Sequence, residues 1–250
     1  MDSLVNNIIS IVQARCNSKR LSRKVLRLIS GKPLIHHIFE RISYCSYRIN
    51  NILATTSSKK DDALIRWAKK NSVKFFRGSE EDVLTRFFET AKFFKADIIV
   101  RITADDPFKE PALIDRALKI LINKKLDFVS NNNPPSFPEG LDTEVFTFKA
   151  LSRAHSIAKK KFDREHVTQF FYKNPKIFKQ FNFKHKKSLH HLRWTIDTLD
   201  DLKMVRFIYK KLYKKGNLFL MEDILELLNS YPSINKINTN VKRSFMYKKR

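Results

Sequence analysis

The sequence predicts an α/β protein with a mixed, mainly parallel sheet between layers of helices. The first half of the chain alternates short apolar segments with amphipathic segments at helical period, which is the pattern of parallel βαβ units. At 250 residues and 42% hydrophobic composition, the chain is long enough to bury one substantial core. A turn-rich stretch at 131–141, "NNNPPSFPEGL", then leads into a less regular part.

The predicted elements follow one another along the chain. Apolar segments predict strands and amphipathic segments predict helices, and Pro33 stands near the start of the first helix, where a missing N–H is tolerated. The strands are predicted at 7–14, 50–56, 73–76, 96–102, 126–130, 142–148, 177–183 and 191–197, and the helices at 31–44, 60–71, 80–94, 110–125, 149–160, 163–173, 199–213 and 221–231. We expect one domain over 1–250 that carries an insertion-like lobe at about 132–190.

The strongly basic composition raises the question of a polyanionic partner. A formal net charge of +25 would attract nucleic acid or an anionic membrane surface. The lysines, however, are spread over polar faces of predicted helices, as in "LINKKLD" and "IYKKLYKKGN", so we expect no specific nucleic-acid partner. No apolar run reaches the roughly 20 residues of a membrane helix, and the opening MDSLVNN lacks the plan of a signal peptide. We therefore expect a cytoplasmic protein without membrane insertion.

Two adjacent carboxylates follow a strongly apolar segment. In "IVRITADDPF" (99–108) the apolar run leads into Asp105 and Asp106 and stops at Pro107. Adjacent negative charges repel each other, and ligands usually bind at the carboxyl ends of strands in an α/β sheet. These residues predict a cation site at Asp105, while Asp106 either orients a metal-bound water or caps the turn before the proline.

Asp197 is a second candidate cation ligand. It ends the apolar run of "LRWTIDTLDDL", and Thr198 then opens a helix with Asp200 and Asp201 in its first turn, where acidic residues complement the helix dipole. If both apolar runs are strands of one parallel-rich sheet, their carboxyl ends bring Asp105 and Asp197 together. Two carboxylates with triphosphate oxygens and water form a common Mg²⁺ arrangement.

Phosphate binding would depend on side chains. Only four glycines occur, and none forms GxGxxG or GxxxxGK[ST]. Guanidinium and ammonium groups, which suit a polyphosphate, instead crowd the loop after the first strand, "QARCNSKRLSRKVL". In a chain this basic, a solvent-exposed loop is an equally good interpretation. The residues concerned are Arg15, Lys19, Arg20, Arg23 and Lys24.

Several segments together resemble the sugar cytidylyltransferases, the group that contains the CMP-Kdo and CMP-acylneuraminate synthetases. "IVQARCNSKRLSRKVL" and "GKPLIHHIFERI" resemble the amino-terminal signature of that group. The segments "FRGSEEDVLTRF", "RITADDPF", "PSFPEGLDTEVF", "DREHVT" and "LRWTIDTLDDL" are most similar to the branch named for spore coat polysaccharide biosynthesis protein F. The resemblance implies a nucleotidyltransferase of the glycosyltransferase-A-like fold, usually dimeric, that activates a sugar or sugar acid with CTP.

The resemblance also implies roles for individual residues. Asp105 and Asp197 match the metal-binding aspartates, which implies Mg²⁺ as cofactor, and the lobe at 132–190 would bind the acceptor or form the dimer. Three groups of residues are implied besides the metal ligands. The triphosphate would be held by Arg15, Arg20 and Lys24, and the catalytic set would consist of Arg15, Lys24 and the two aspartates. The nucleotide would lie along Ala14, Ala54, Thr55, Asp82, Arg86 and Arg101, and the acceptor would face Asp142, Glu144, Arg164 and His166. For His166, an amino-terminal capping cluster is an equally good interpretation.

The basic loop departs from the family pattern at two places. Asn17-Ser18 and Ser22-Arg23 stand where the family usually has a Gly-Ser pair and a Pro-Gly pair. Because glycine permits positive φ and close approach, these replacements can reshape the loop. We expect transfer of CMP from CTP to a sugar acid or to a sugar or polyol phosphate, with release of pyrophosphate, for surface polysaccharide biosynthesis. The alternatives are another nucleoside triphosphate, a catalytically silent homologue and a basic nucleic-acid-binding protein.

Overall fold

The computed structural model describes residues 7–18 and 20–242; Lys19 of the basic loop lies outside the described residues. The strands are β1 (Ile8–Gln13), β2 (Leu28–Ile29), β3 (Lys32–Pro33), β4 (Asn50–Thr56), β5 (Lys74–Gly78), β6 (Ile98–Thr103), β7 (Phe128–Ser130), β8 (Glu144–Thr147) and β9 (Gln180–Asn182). The helices are α1 (Leu34–Ile42), α2 (Asp62–Lys70), α3 (Val83–Phe93), α4 (Pro111–Asn123), α5 (Phe148–Ile157), α6 (Lys161–His166), α7 (Gln169–Lys173), α8 (Leu199–Leu212), α9 (Met221–Ser230) and α10 (Pro232–Asn235).

A seven-stranded sheet in the order β5-β4-β1-β6-β8-β7-β9 organises the chain. The first four strands in that order are mutually parallel, β8 runs antiparallel to both of its neighbours, and β9 is parallel to β7. The predicted fold class, a mixed and mainly parallel sheet between helices, is therefore confirmed. The carboxyl ends of the central strands β1 and β6 meet at one edge of the sheet, because Gln13 and Thr103 are register partners.

Two apolar cores cover the two faces of the sheet, because successive strand residues point to opposite faces. Ile8 and Val12 of β1 join the core built with α1, α2, α4, α8 and α9, whereas Ile9 and Ile11 join the core built with α3, α5 and α7. All four of these β1 residues are buried. The segment 132–190 is part of this architecture, since β8 lies between β6 and β7 in the sheet.

The predicted strand at 191–197 is wrong. Residues 192–197 are buried, but among the described residues they form only an isolated bridge at Arg193 rather than a ladder. The reason is that it spans two loops instead of running beside one strand: the Trp194 N–H donates to the Glu139 carbonyl at 2.8 Å, and the Ile196 N–H donates to the Asp105 carbonyl at 2.9 Å. Packing between these two loops buries the apolar residues of the segment.

The predicted helix at 163–173 is also wrong as one continuous element. It is divided into α6 and α7 by Val167, whose φ of 48° lies outside the range of a right-handed helix. The other predicted strands and helices correspond to observed elements whose ends differ by a few residues. Among the described residues, no helix has the length and apolar character needed to cross a membrane.

Candidate active site

A polar cavity opens at the carboxyl ends of β1 and β6. Its volume is about 320 Å³, and it takes residues from the basic loop after β1, from the end of β6 and from the segment that precedes α8. This is the edge of an α/β sheet at which loops carry ligand-binding side chains. The residues that line it are Gln13, Ala14, Arg15, Ser18, Arg20, Lys24, Val25, Thr103, Ala104, Asp105 and Asp197.

The Lys24 ammonium lies between the two carboxylates that the sequence singled out. Its Nζ is 2.7 Å from Asp105 Oδ2, 2.8 Å from Asp197 Oδ1 and 2.9 Å from the carbonyl oxygen of Ile196. Arg20 Nη2 reaches the same Asp197 oxygen at 2.7 Å. The structure thus brings Asp105, Asp197, Lys24 and Arg20 together, and three oxygen atoms converge on one cation.

Burial and charge determine the protonation of this group. Burial by itself would lower the pKa of Lys24, but the charges of Asp105 and Asp197 outweigh it and raise the pKa above its ordinary value. For Asp105, burial would raise the pKa, and the nearby Lys24 ammonium lowers it instead. Both directions favour the charged forms, so Lys24 is an ammonium ion and Asp105 a carboxylate at neutral pH.

A buried guanidinium behind the cavity holds Asp197 in place. Arg193, whose side chain is 4% exposed, donates from Nη2 to Asp197 Oδ2 at 2.9 Å, from Nη1 to Glu139 Oε1 at 2.6 Å and from Nε to Asp201 Oδ1 at 3.0 Å. Hydrogen bonds from Arg193 outweigh the effect of burial and lower the pKa of Asp201. Asp197 therefore directs one oxygen to Arg193 and the other to the cavity.

A second buried cation holds the other carboxylate of the adjacent pair. Lys109 Nζ lies 2.8 Å from Asp106 Oδ2 and donates to the backbone oxygen of Asp142 at 2.6 Å. Thr103 also donates to Asp106. Burial raises the pKa of Asp106 above its ordinary value, although Lys109 acts in the opposite direction. Asp106 faces this internal network and does not line the cavity.

Arg193, Glu139 and Lys109 were missed by the sequence analysis. The sequence does not distinguish a buried lysine or arginine from an exposed one, and this chain has 50 such residues. One signal was available for Arg193, which interrupts the apolar run "HLRWTI". A charged residue inside such a run is rarely buried without a partner.

The described residues of the basic loop keep a defined shape without the glycines that the family usually has there. Arg23 has φ 52° and ψ 30°, the left-handed conformation that glycine adopts most readily. Its N–H donates to the Cys16 carbonyl, and the Cys16 N–H donates to the buried Asp61 carboxylate at 2.6 Å. Arg23 thus reproduces the conformation expected of a glycine at this position.

A second cavity adjoins the first and shares Gln13, Ala14 and Arg15 with it. It measures about 190 Å³ and is bounded further by Glu80, Val83, Arg86, Glu165 and His166. Arg15 pairs loosely with Glu80 at 3.5 Å, and burial lowers the pKa of Arg86 to about 10. Burial also lowers the pKa of His166, which favours the neutral imidazole. The two cavities form one continuous polar surface around Arg15.

The remaining predicted site residues are not among those that line the two cavities. Ala54 and Thr55 are fully buried in β4, and the Ala54 carbonyl accepts from Ala14 N–H at 3.2 Å. Asp82 caps α3 and pairs with Arg164 at 2.7 Å. Glu144 is buried and accepts from Arg101 and from the Tyr172 hydroxyl. The backbone oxygen of Asp142 accepts a hydrogen bond from Lys109 Nζ.

The donor set at Asp105 and Asp197 suits a hard divalent cation. Two carboxylate oxygens and one carbonyl oxygen already surround a positive charge there, and hard cations prefer oxygen ligands. In the part of the chain that the structure describes, no group of three or more His, Cys, Asp or Glu side chains is arranged to hold a metal. A metal at this site would therefore need further oxygens from a substrate or from water.

Comparison with known proteins identifies the family. The family model described as cytidylyltransferase matches residues 9–227. An uncharacterized protein of Methanocaldococcus jannaschii is 40% identical over 240 residues, which are 94% of this chain and 96% of the relative. The spore coat polysaccharide biosynthesis protein SpsF of Bacillus subtilis is 31% identical over 237 residues, which are 91% of this chain and 96% of that protein.

Solved structures agree with this assignment. A cytidylyltransferase from Leptospira borgpetersenii superposes with a TM-score of 0.88 and 28% identity, covering 95% of this chain and 99% of that one. A CMP:2-keto-3-deoxy-manno-octonic acid synthetase complexed with CTP shares the fold, with a TM-score of 0.64 and 18% identity over 82% of this chain and 99% of that one. From the family match, the overall fold and the cavity at the ends of β1 and β6, we conclude that this chain belongs to the cytidylyltransferase family.

Proposed function

We propose that the protein transfers CMP from CTP to a sugar acid or to a sugar or polyol phosphate and releases pyrophosphate. The observation that carries the proposal is the convergence of Asp105 and Asp197 on one cation, in a cavity that also contains Arg15 and Arg20. An anionic polyphosphate and a divalent cation together match this mixture of charges. Family membership supports the choice of a cytidylyl group.

Each charged group has a role in the proposed reaction. Arg15, Arg20 and Lys24 bind triphosphate oxygens and offset the charge that develops on the leaving pyrophosphate, because fixed cations stabilise a transition state without reorganising. Asp105 and Asp197 would hold Mg²⁺. When bound, this ion would neutralise phosphate charge and polarise the phosphorus that is attacked. The acceptor oxygen attacks the α-phosphorus of CTP, and the bond between that phosphorus and the bridging oxygen of the leaving pyrophosphate breaks. Where the acceptor oxygen belongs to a hydroxyl group, its proton passes to water or to an acidic group of the substrate.

The second cavity supports a place for the rest of the nucleotide. It shares Arg15 with the phosphate-binding cavity and extends to Arg86 and His166. In the proposal, Ala14, Ala54, Thr55, Asp82, Arg86 and Arg101 line or support the nucleotide site, while Asp142, Glu144, Arg164 and His166 belong to the acceptor side. The segment 132–190 contributes the acceptor side and the surface through which two copies form a homodimer.

The relatives support a proposal for the biological setting. The name of SpsF supports a role in surface polysaccharide biosynthesis, and the use of CTP supports a reaction in the cytoplasm. A nucleotidyltransferase that uses a different triphosphate is the second candidate, because the phosphate-binding cavity would accept the triphosphate that all of these nucleotides share. Nothing in the reaction requires nucleic acid or insertion into a membrane.

Pyrophosphate release is the direct test. The purified protein is incubated with Mg²⁺, each of CTP, UTP, ATP and GTP, and a panel of sugar acids and sugar or polyol phosphates. We expect release with CTP and with one acceptor class. Asp105→Asn and Asp197→Asn should each lower kcat by at least about 100-fold, because a lost charge-stabilising contact costs that order of rate.

A matched control lies three residues after Asp197. Asp200 is 49% exposed and pairs with Lys203, so Asp200→Asn removes the same type of charge outside the cavity. This variant should retain wild-type turnover. Preference for another triphosphate would support the second candidate, and a lack of release with every triphosphate and acceptor in the panel would contradict the proposed reaction.

A further inference from the structure

We infer that Arg193 is a positioning residue that fixes the Asp197 carboxylate for the reaction, with Glu139 and Asp201 as its supporting anions. This inference rests on the proposed function, since it assigns Asp197 to the site at which CTP and a divalent cation bind. The two carboxylate oxygens of Asp197 face different partners. Oδ2 accepts from Arg193 at 2.9 Å, whereas Oδ1 faces Lys24 and Arg20 in the cavity.

The guanidinium fits its surroundings in a way that lysine cannot reproduce. Nε, Nη1 and Nη2 of Arg193 each donate to a different carboxylate, and Nη2 also reaches the second oxygen of Asp201 at 3.2 Å. A planar fork with several donors holds its partners in fixed directions, whereas an ammonium group is a point charge on a flexible stem. Arg193 therefore fixes an orientation as well as a charge.

Asp201 also fixes the backbone on which Asp197 stands. Its Oδ2 accepts from the Asp197 N–H at 2.9 Å and from the Thr198 N–H at 2.9 Å. Asn238 donates to Asp201 Oδ1 at 2.9 Å and to the Arg193 carbonyl at 3.0 Å. Both the side chain and the main chain of Asp197 are thus held from the same buried cluster.

Asp197 connects this cluster to the cavity. Its Oδ2 faces the buried Arg193 guanidinium, whereas its Oδ1 faces Lys24 and Arg20. A salt bridge with a purely structural role would lie wholly in the interior. This one shares a carboxylate with the cavity, so a change at Arg193 reaches the side chains that line it.

Glu139 connects the cluster to the segment "EGLDTE". Its carbonyl accepts from Trp194 N–H, and its N–H donates to the Leu192 carbonyl at 2.9 Å. Gly140, with φ +106°, permits this contact, because a Cβ there would lie 2.9 Å from the Trp194 backbone. The orientation of Asp197 therefore depends on the close backbone packing of this segment as well as on the Glu139 carboxylate that holds Arg193.

The first experiment measures the position of Asp197 without nucleotide or metal. Acetic anhydride modifies exposed amines, and peptide mass spectrometry gives the rate at Lys24. In Arg193→Lys we expect Asp197 to turn away from Lys24 and the rate at Lys24 to rise at least 3-fold. Lys109, held by Asp106 in a separate pair, should keep its wild-type rate.

The second experiment measures turnover. Arg193→Lys should lower kcat for pyrophosphate release at least 10-fold and leave KM for the acceptor within 2-fold, because the variant disturbs an orientation and not the acceptor side. Arg193→Met should be no less impaired. The matched control is Lys173→Met, which removes the cation from another buried carboxylate, Asp163. It should lower Tm without changing kcat or the reactivity of Lys24.

The outcomes separate this inference from the proposed function. Wild-type reactivity of Lys24 in Arg193→Lys, full turnover in that variant, or an equal rise at Lys109 would each overturn the positioning role. If the wild-type protein releases no pyrophosphate with any triphosphate, the proposed reaction fails. The reactivity of Lys24 still decides whether Arg193 orients Asp197, since that measurement needs no substrate.

Discussion

Lys24 Nζ lies 2.7 Å from Asp105 Oδ2, so residues 81 positions apart in the chain form one ion pair at the centre of the cavity. With Asp197 on the other side, the ammonium occupies the place between the carboxylates at which a divalent ion would bind. An ion entering this site alone must displace the lysine. A nucleotide brings phosphate oxygens that give Lys24 another partner, so we expect nucleotide and metal to bind cooperatively.

Replacement of Lys24 tests this competition. Lys24→Met should destabilise the protein by about 3 kcal/mol, because it leaves two facing carboxylates without their shared cation. Addition of MgCl₂ without nucleotide should raise the Tm of this variant by several degrees more than that of the wild type. Lys203→Met, which removes a largely exposed lysine, serves as the control. Equal responses to MgCl₂ in all three proteins would contradict the competition.

The left-handed conformation of Arg23 predicts a stabilising substitution. A non-glycine residue at positive φ costs about 1–2 kcal/mol, whereas glycine adds up to about 1 kcal/mol of unfolded-chain entropy. Arg23→Gly should therefore raise the free energy of unfolding in urea by about 0.5–1 kcal/mol. Ser72→Gly, at φ 54° but away from the cavity, should give a similar gain. A loss of stability in Arg23→Gly would mean that its side chain contributes more than its backbone conformation costs.

A side chain at position 140 should lower the free energy of unfolding. Gly140→Ala combines a positive φ with a Cβ 2.9 Å from the Trp194 backbone, whereas Gly216→Ala has φ +80° and open space around its Cβ. The conformational cost is about 1 kcal/mol in both variants, and the steric cost arises only at Gly140. Urea unfolding should show Gly140→Ala as the less stable by at least about 1 kcal/mol. Equal losses would show that the segment 139–140 can shift away from Trp194.

Asp82 should contribute to the fall in the free energy of unfolding at acidic pH. Burial would raise its pKa, but hydrogen bonds from the Thr85 backbone and from Arg164 lower it below the ordinary value of 3.8. A lowered pKa in the folded state means that the stabilisation is present above the unfolded value and disappears as the pH falls through the folded value. Asp82→Asn, which keeps the cap and removes the charge, should cost about 1 kcal/mol or less near pH 7.

This cost should shrink as the pH falls below 3.8, the ordinary value for the group. Urea unfolding of the wild type and of Asp82→Asn between pH 2.5 and 7 measures the difference. Glu81→Gln is the matched control, because Glu81 is the neighbouring residue and its side chain is 84% exposed. A difference between the wild type and Asp82→Asn that does not change with pH would show that the charge of Asp82 plays no part.

The sequence predicted the parallel half of the fold because its periodicity is regular there. Strands β1, β4 and β6 and the helices between them follow from alternating apolar and amphipathic segments. The proximity of Asp105 and Asp197 was also anticipated, but for a partly wrong reason. Asp197 does not end a strand; it reaches the cavity through an extended segment that docks on Asp105 and Glu139. Long-range backbone contacts of this kind leave no periodic signal.

The supporting residues could not be located from the sequence for a physical reason. Arg193 and Lys109 differ from the other basic residues only by their burial, and burial depends on which segments meet in the folded chain. The short elements of the second half posed a similar difficulty. The break at Val167 depends on one backbone conformation, which apolar periodicity does not report.

The docking of 192–197 onto Asp105 also determines when the site can exist during synthesis. Strands β5, β4, β1 and β6 and the cations Arg20 and Lys24 all precede residue 105, so a nascent chain contains these parts before Asp197 is made. At that stage Lys24 faces a single carboxylate, and the cluster of Arg193 is absent. A ribosome-bound fragment ending before residue 192 therefore lacks Asp197, and under the proposed function we expect nucleotide-binding competence only when the last quarter of the chain has emerged.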